Sequence, residues 1–186
     1  AVNTLFHALL QHPQFKPIDF STLYVSQAGG MAASVGTAKH WQEATGSPMI
    51  EGWGMSETCA IGTNNPVTAT SFSGNIGLPL PSIDIAIKDD DGNSLAQGES
   101  GEICIRGPNV MWGYYNQPEE NAKAFTADGF MRTGDVGIMD EHGYTRIVDR
   151  KKDMIIVSGF NVFPNELENV ISLCPGVVEC AAIGIA

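Results

Sequence analysis

The chain has 186 residues, of which 43% are apolar and 17% charged, and its formal net charge is -11. That composition excludes a disordered chain. The shortage of positive charge excludes a nucleic-acid track, which needs a broad basic surface. No run of about 18 apolar residues offers a membrane span, and the opening AVNTLFHALLQHPQF is too polar for a signal peptide. The missing initiator Met suggests a segment of a longer chain.

Taken in order, residues 2–10 place Val2, Leu5, Phe6, Leu9 and Leu10 on one helical face, and Pro13 and Pro17 end that helix. Residues 22–26 (TLYVS) read as a short buried strand. Gly29 and Gly30 turn the chain into a helix over 32–45, with Gly46 as its cap. Residues 48–51 begin a second strand, so the unit is strand–helix–strand with a parallel pair. Ligands in open α/β sheets bind beyond the carboxyl ends of the strands. Two turns lie there: Ala28-Gly29-Gly30-Met31 and Gly52-Trp53-Gly54-Met55-Ser56-Glu57. The glycines allow close approach to the backbone. Trp53 offers a ring face, Ser56 a hydroxyl, and Glu57 a carboxylate suited to magnesium. A Trp at a strand end is more often core, but together these residues suggest a nucleotide corner.

From residue 72 glycine and proline become frequent and strands dominate. Ile83, Ile85 and Ile87 alternate with Asp84, Ala86 and Lys88, as in a half-buried strand. Asp89–Asn93 reads as a hairpin turn, because Ser94 stands where a calcium loop starting at Asp89 needs glycine. Glu102–Arg106 is the returning strand, and a second hairpin spans 135–149. Then comes IVDRKKDMIIV, with five consecutive charged residues between apolar runs. Five of the ten Lys and Arg residues lie between Arg132 and Lys152. That cluster fits a small phosphorylated ligand, or alternatively a solvated loop. A strand at 154–157 precedes a helix opening at Pro164, with Leu167, Val170, Ile171 and Cys174 as its apolar stripe. Pro175-Gly176 ends it, and VVECAAIGIA reads as a closing strand. The four cysteines form no CxxC pair and read as buried free thiols of a reducing compartment. The histidines have no zinc-ligand spacing.

EGWGMSET, GEICIRGP, MRTGD and IVDRKKDMIIVSGFNVFPNELE occur in the order of four signatures of the adenylate-forming (AMP-binding) enzymes. The chain resembles that superfamily from end to end, and is most similar to bacterial long-chain fatty-acid–CoA ligases. The fold class implied is α/β. A strand–helix–strand segment of a parallel sheet (1–71) and a small antiparallel β unit (72–150) complete a large adenylation domain over 1–150. Residues 151–186 then start a small α+β C-terminal lid domain. The resemblance implies that Gly30, Met31 and Ala32 line the adenine and acyl pocket. Within the second turn, Gly52 to Ser56 contact the nucleotide, Trp53 stacks on adenine, Ser56 holds the α-phosphate and Glu57 holds Mg²⁺. Asp135 and Arg150 bind the ribose, Lys152 is the interdomain hinge and Gly159 lines the pantetheine tunnel. Some relatives have Arg two positions after that glycine, where this chain has Asn161.

The implied substrates are ATP, a fatty acid and coenzyme A, with AMP released. The implied setting is the cytoplasm, with transient contact at the inner membrane face, although no basic amphipathic helix supports membrane binding. The family's phosphate loop and C-terminal lysine match nothing in 1–186, so negligible turnover is implied for these residues alone. A peptide-synthetase or luciferase-like domain and a non-catalytic nucleotide-binding module are the competing readings. One geometric expectation underlies the assignment: Trp53 and Asp135 converge on one AMP-sized hollow.

Overall fold

A computed structural model describes residues 1–157, 160–172, 174, 176–177 and 180–185. The chain divides into two compact units, residues 1–83 with 108–111, and residues 84–107 with 112–186.

In the first unit, helix α1 spans Asn3–Gln11 and helix α2 spans Val35–Thr45. The Ser34 hydroxyl starts α2 by accepting the Thr37 N–H at 3.0 Å, satisfying one of the orphan donors of a helix start. Gly46, with φ +72, ends it in the left-handed conformation. Phe6, Phe15, Ala28, Ala38, Trp41 and Met49 form the core. Trp41 is its anchor: its ring meets Phe6 edge-on at 4.7 Å, and its Nε1–H donates to Ser26 Oγ at 2.8 Å. Of the apolar face expected on α1, only Phe6 is buried and Leu10 packs partly, while Leu5 is 48% exposed.

Strand β1 is Ser26–Ala28 and β2 is Met49–Trp53, paired in parallel from Ser26↔Met49 to Ala28↔Glu51. The strand expected at 22–26 is therefore displaced, and Tyr24 is exposed. The ladder begins only where β2 supplies a partner. Strands β3 (Thr63–Asn64) and β4 (Leu78–Pro79) extend this sheet in the order β1-β2-β3-β4 through antiparallel pairs. Residues 78–79, expected with the later β unit, thus hydrogen-bond to β3.

The second unit is built on an antiparallel meander, β5 (Asp84–Lys88), β6 (Ser100–Arg106), β7 (Met131–Met139) and β8 (Thr145–Arg150). A short helix α3 (Pro118–Ala124), unforeseen from sequence, follows β6. Strands β9 (Ile155–Val157) and β10 (Phe160–Val162) form a hairpin, and helix α4 is Pro164–Ser172. The apolar stripe of α4 is open: Leu167, Val170, Ile171 and Cys174 are exposed. Residues 180–185 carry no strand, contrary to expectation. Pro175, Val178, Glu179 and Ala186 lie outside the described residues.

Alternation along β5 predicted a solvated Lys88, yet it is 1% exposed. Its ammonium donates to Gly92 O at 3.0 Å and Asp128 Oδ2 at 2.8 Å, and lies 4.8 Å from the Phe130 ring centre. The stem is covered while the tip meets the exposed Asp128, which makes a buried cation tolerable. The Asp128 carboxyl is held down to about 2, first by the Lys88 hydrogen bond and then by Thr126. The cysteines also depart from expectation. All four are free, but only Cys104 is buried, with its thiol pushed up to about 12 chiefly by burial, while Cys59 and Cys174 are exposed and Cys180 is half-buried. Among the described residues no helix is long and apolar enough to cross a membrane.

Lys88→Met keeps the buried stem but leaves the Gly92 carbonyl without this donor. It is expected to destabilise the protein by about 2 kcal/mol in urea unfolding. Lys123→Met, at an exposed position, is expected to cost less than about 0.5 kcal/mol.

Candidate functional site

The parallel pair β1–β2 sends both strand ends to one place in the first unit. There Gln27, Ala28, Gly29, Gly30, Gly52 and Gly54, with Ala1, Ala60 and Ile61, line a cleft of ≈ 320 Å³. Three of the expected contact residues, Gly30, Gly52 and Gly54, are thereby brought together. Met31 and Ala32 lie exposed on the loop that follows Gly30.

The glycines have a second reason to be glycine. A Cβ on Gly52 would come within 2.5 Å of Asn64 Oδ1 and 2.6 Å of Gln27 Nε2, and one on Gly54 would strike the Ala60 carbonyl. The backbone contact makes Gly54 a requirement of the chain's own packing, independently of any ligand, whereas the two atoms nearest Gly52 are side-chain ends that can move aside. Trp53 is 7% exposed and cross-strand from Thr63. Its ring is largely covered, so little of it stands open to solvent.

Beyond Trp53 the chain enters a 3₁₀ turn at Ser56–Thr58. Met55 is half-buried, Ser56 exposed and Glu57 half-buried. The Thr58 side chain, 0% exposed, closes the turn: its Oγ1 accepts the Met55 N–H at 3.0 Å and donates to the Met55 carbonyl at 3.1 Å. Among the described residues no group of three or more His, Cys, Asp or Glu could hold a metal ion. A magnesium ion at Glu57 would therefore depend on ligand phosphates and water, the usual manner for that ion.

Glu51 was not singled out from the sequence. It is 9% exposed in the middle of β2, and its Oε1 accepts the Ala33 N–H at 3.0 Å. One carboxylate thereby ties the loop after β1 to the strand beside it. Burial pushes its carboxyl up to about 7, against the opposing pull of the Ala33 N–H. A Glu directly before the Gly-Trp-Gly run, at a strand position, was the available signal.

In the second unit the RTGD segment, Arg132 to Asp135, bulges out of β7. Glu102 faces Val136 and Cys104 faces Arg132, so the three residues 133–135 stand opposite the single residue Ile103. Bulges of this kind re-aim side chains, and Gly134 adopts φ +75 to make the bend. Thr133 Oγ1 donates to Ile103 O at 2.7 Å and accepts the Asp135 N–H at 3.2 Å. Glu102, 6% exposed, accepts the Gly134 N–H at 3.0 Å and pairs with Arg132 at 2.9 Å and Lys151 at 3.4 Å.

The charged run after β8 is accommodated across strands. Arg150 sits opposite Asp135, with Nε 3.5 Å from Oδ1. Lys151 reaches Asp90 at 2.6 Å, so the acidic turn at 89–91 holds a cation. Asp149 is buried and accepts the N–H groups of Arg150 and Asn165. Lys152 lies exposed in the turn at 151–153, and Gly159 lies outside the described residues. A separate cavity of ≈ 560 Å³ is lined by Asp90, Lys123, Thr126, Arg132 and Lys151, among others, and not by Asp135 or Arg150.

Residues 1–115 match the family described as AMP-binding enzyme. The chain is 49% identical over 184 residues to a long-chain-fatty-acid–CoA ligase of Yersinia pestis, covering 99% of this chain and 33% of that protein. A ligase of the same name from Bacillus subtilis is 38% identical over 98% of this chain and 32% of its own length. The chain thus spans about a third of the length of these relatives. Among solved structures, ATP-bound MatB from Rhodopseudomonas palustris superposes with a TM-score of 0.92 at 38% identity, over 100% of this chain and 37% of that one. Bacillus subtilis o-succinylbenzoate CoA synthetase, in complex with its acyl-adenylate intermediate, gives 0.85 at 31%, over 100% and 37%. The α/β expectation is borne out.

Glu51 gives a pH signature with a definite sign. Its folded value near 7 lies above the ordinary 4.5, so the folded state retains a proton that the unfolded state releases. Stability is fully present below about 4.5 and falls as pH rises to about 7, by about 3 kcal/mol in all. Glu51→Gln should remove this contribution. The check is the difference in urea stability between the two proteins, measured from pH 4.5 to 8.

Proposed function

Because the chain belongs to the AMP-binding enzyme family, we propose that it forms part of an ATP-dependent long-chain fatty-acid–CoA ligase. Residues 1–150 would belong to the large adenylation domain and 151–186 would open the lid domain. The observation that carries this reading is the 49% identity to a ligase of that name, sustained over 99% of the chain.

The reaction has two steps. A fatty carboxylate oxygen attacks the α-phosphorus of ATP, and the bond to pyrophosphate breaks. The thiolate of coenzyme A then attacks the acyl carbon, and AMP leaves with the bonding pair. The first step brings two anions together. At 4 Å, unit like charges repel by roughly 4 kcal/mol at an effective dielectric of 20. Magnesium held at Glu57 would supply positive charge against that repulsion. The Ser56 hydroxyl donates to an α-phosphate oxygen from its exposed place on the turn. The backbone around Gly29, Gly30, Gly52 and Gly54 admits the nucleotide base closely because no side chain intervenes, with Met31 and Ala32 at the rim. Trp53 serves as a floor beneath the corner, since its ring is largely covered. Asp135 accepts from the ribose hydroxyls, and Arg150 beside it neutralises that carboxylate and contacts the same sugar. Lys152, exposed in a turn between strands, is the pivot of the lid. Gly159 belongs to the pantetheine tunnel. The substrates place the reaction in the cytoplasm, with brief contact at the inner membrane face when a long-chain acid is taken up.

The test is AMP release by the intact enzyme with oleate, ATP and coenzyme A. Release that requires both oleate and coenzyme A is expected, and Asp135→Ala should lower kcat/KM for ATP by about 100-fold. AMP formation indifferent to coenzyme A would shift the assignment to another acyl-adenylate acceptor. Residues 1–186 alone are expected to release pyrophosphate negligibly, and a rate comparable with the intact enzyme would refute that.

A further inference from the structure

The turn carrying Ser56 and Glu57 passes directly into two strained residues. Cys59 and Ala60 have φ of 52 and 84, and neither is glycine. Consecutive left-handed residues of this kind persist only where their surroundings fix them. Bonds within the turn hold its N–H groups: Cys59 N–H donates to Ser56 O at 3.2 Å and Ala60 N–H to Met55 O at 3.1 Å. The carbonyls on either side of the strained pair are held from elsewhere in the sequence. Asn109 Nδ2 donates to Thr58 O at 2.8 Å and to Ile61 O at 2.6 Å. Two residues on, the Met111 N–H donates to Glu57 O at 2.7 Å. Residues 108–111 belong to the same compact unit as the turn, although the chain on both sides of them belongs to the other.

The amide of Asn109 can take only this orientation, because the reverse would face its oxygen towards two carbonyls. Its Oδ1 is buried without a hydrogen-bond partner, which is a cost. Space filling does not account for an amide placed in this way, whereas a need for two donors does.

We propose that Asn109 is a positioning residue for the Ser56–Glu57 turn, and through it for the magnesium and α-phosphate assigned to those side chains. This rests on the roles given to Ser56 and Glu57 above. Releasing the two carbonyls lets Cys59 and Ala60 relax towards ordinary dihedrals, which displaces Glu57, two residues before them. A displacement of about 1 Å at such a site is enough to cost one to two orders of magnitude in rate.

In the intact enzyme, Asn109→Ala is expected to raise the half-saturating magnesium concentration and lower kcat for adenylate formation by about tenfold each. KM for the fatty acid should stay within about twofold, because the residues assigned to the acyl pocket, Gly30, Met31 and Ala32, are not among the hydrogen-bond partners of Asn109. Should the alanine variant fail to fold, Asn109→Asp keeps the size, removes both donors and carries the same expectation. Where Glu57→Gln alters the magnesium dependence, a folded Asn109 variant with unchanged magnesium dependence and unchanged kcat overturns the proposal. Glu57→Gln, measured alongside, separates the two readings. If it too leaves magnesium dependence unchanged, the metal role of Glu57 fails. Amide exchange at Cys59 and Ala60 then decides for Asn109 alone: acceleration of about tenfold in Asn109→Ala supports its hold on the turn, and no acceleration sinks it.

Discussion

Glu102 sits 6% exposed in the middle of an antiparallel sheet, where a carboxylate must be matched by donors. It is matched by three: the Arg132 guanidinium, the Lys151 ammonium and the Gly134 N–H. Two of these donors come from the segment that carries Asp135 and one from the charged run after β8. The bulge of β7, the direction taken by residues 133–135 and the placement of Lys151 are therefore solutions to one desolvation problem. Removing any one donor would leave the same carboxylate short of a partner, and this binds the β-rich unit to a single arrangement of its charged residues. Lys151 in turn is steadied by Asp90, whose own carboxyl is lowered first by that hydrogen bond.

The first unit meets its proposed ligand by a contrasting strategy, with scarcely any side chains. The cleft at the ends of β1 and β2 is lined chiefly by glycine and alanine. Main-chain groups are then the natural contacts for a nucleotide, and they cost no rotamer entropy when it binds. The polar side chains are set at the edges, Glu51 tying down one loop and Asn109 the other. Both hold backbone that bears the proposed contact residues.

Much of this was legible in the sequence. Local signals gave α2 with its Gly46 stop, though it starts at Val35 and not at Ala32, the β5–β6 and β7–β8 hairpins, and the glycine turns at the strand ends. What failed depended on partners distant in sequence. The first strand begins at Ser26 because β2 is in register only from there. Lys88 is buried because Asp128, forty residues on, meets its ammonium. β3 pairs with β2 beside Trp53, and a two-residue strand leaves no periodic trace. Asn109 stood unremarked in a loop, since its partners are the carbonyls of Thr58 and Ile61 rather than anything in its own segment.

The bulge in β7 has an arithmetic of its own. Three residues opposite one insert an even number of extra positions, two, into that strand. Inside–outside parity therefore survives the interruption: Met131, Asp135 and Gly137, all odd-numbered, are the buried positions of β7. A one-residue insertion would have turned every later side chain of the strand to the opposite face. The sheet can accordingly accommodate a kink at Asp135 while the strand on either side of it continues to pack as though nothing had been added.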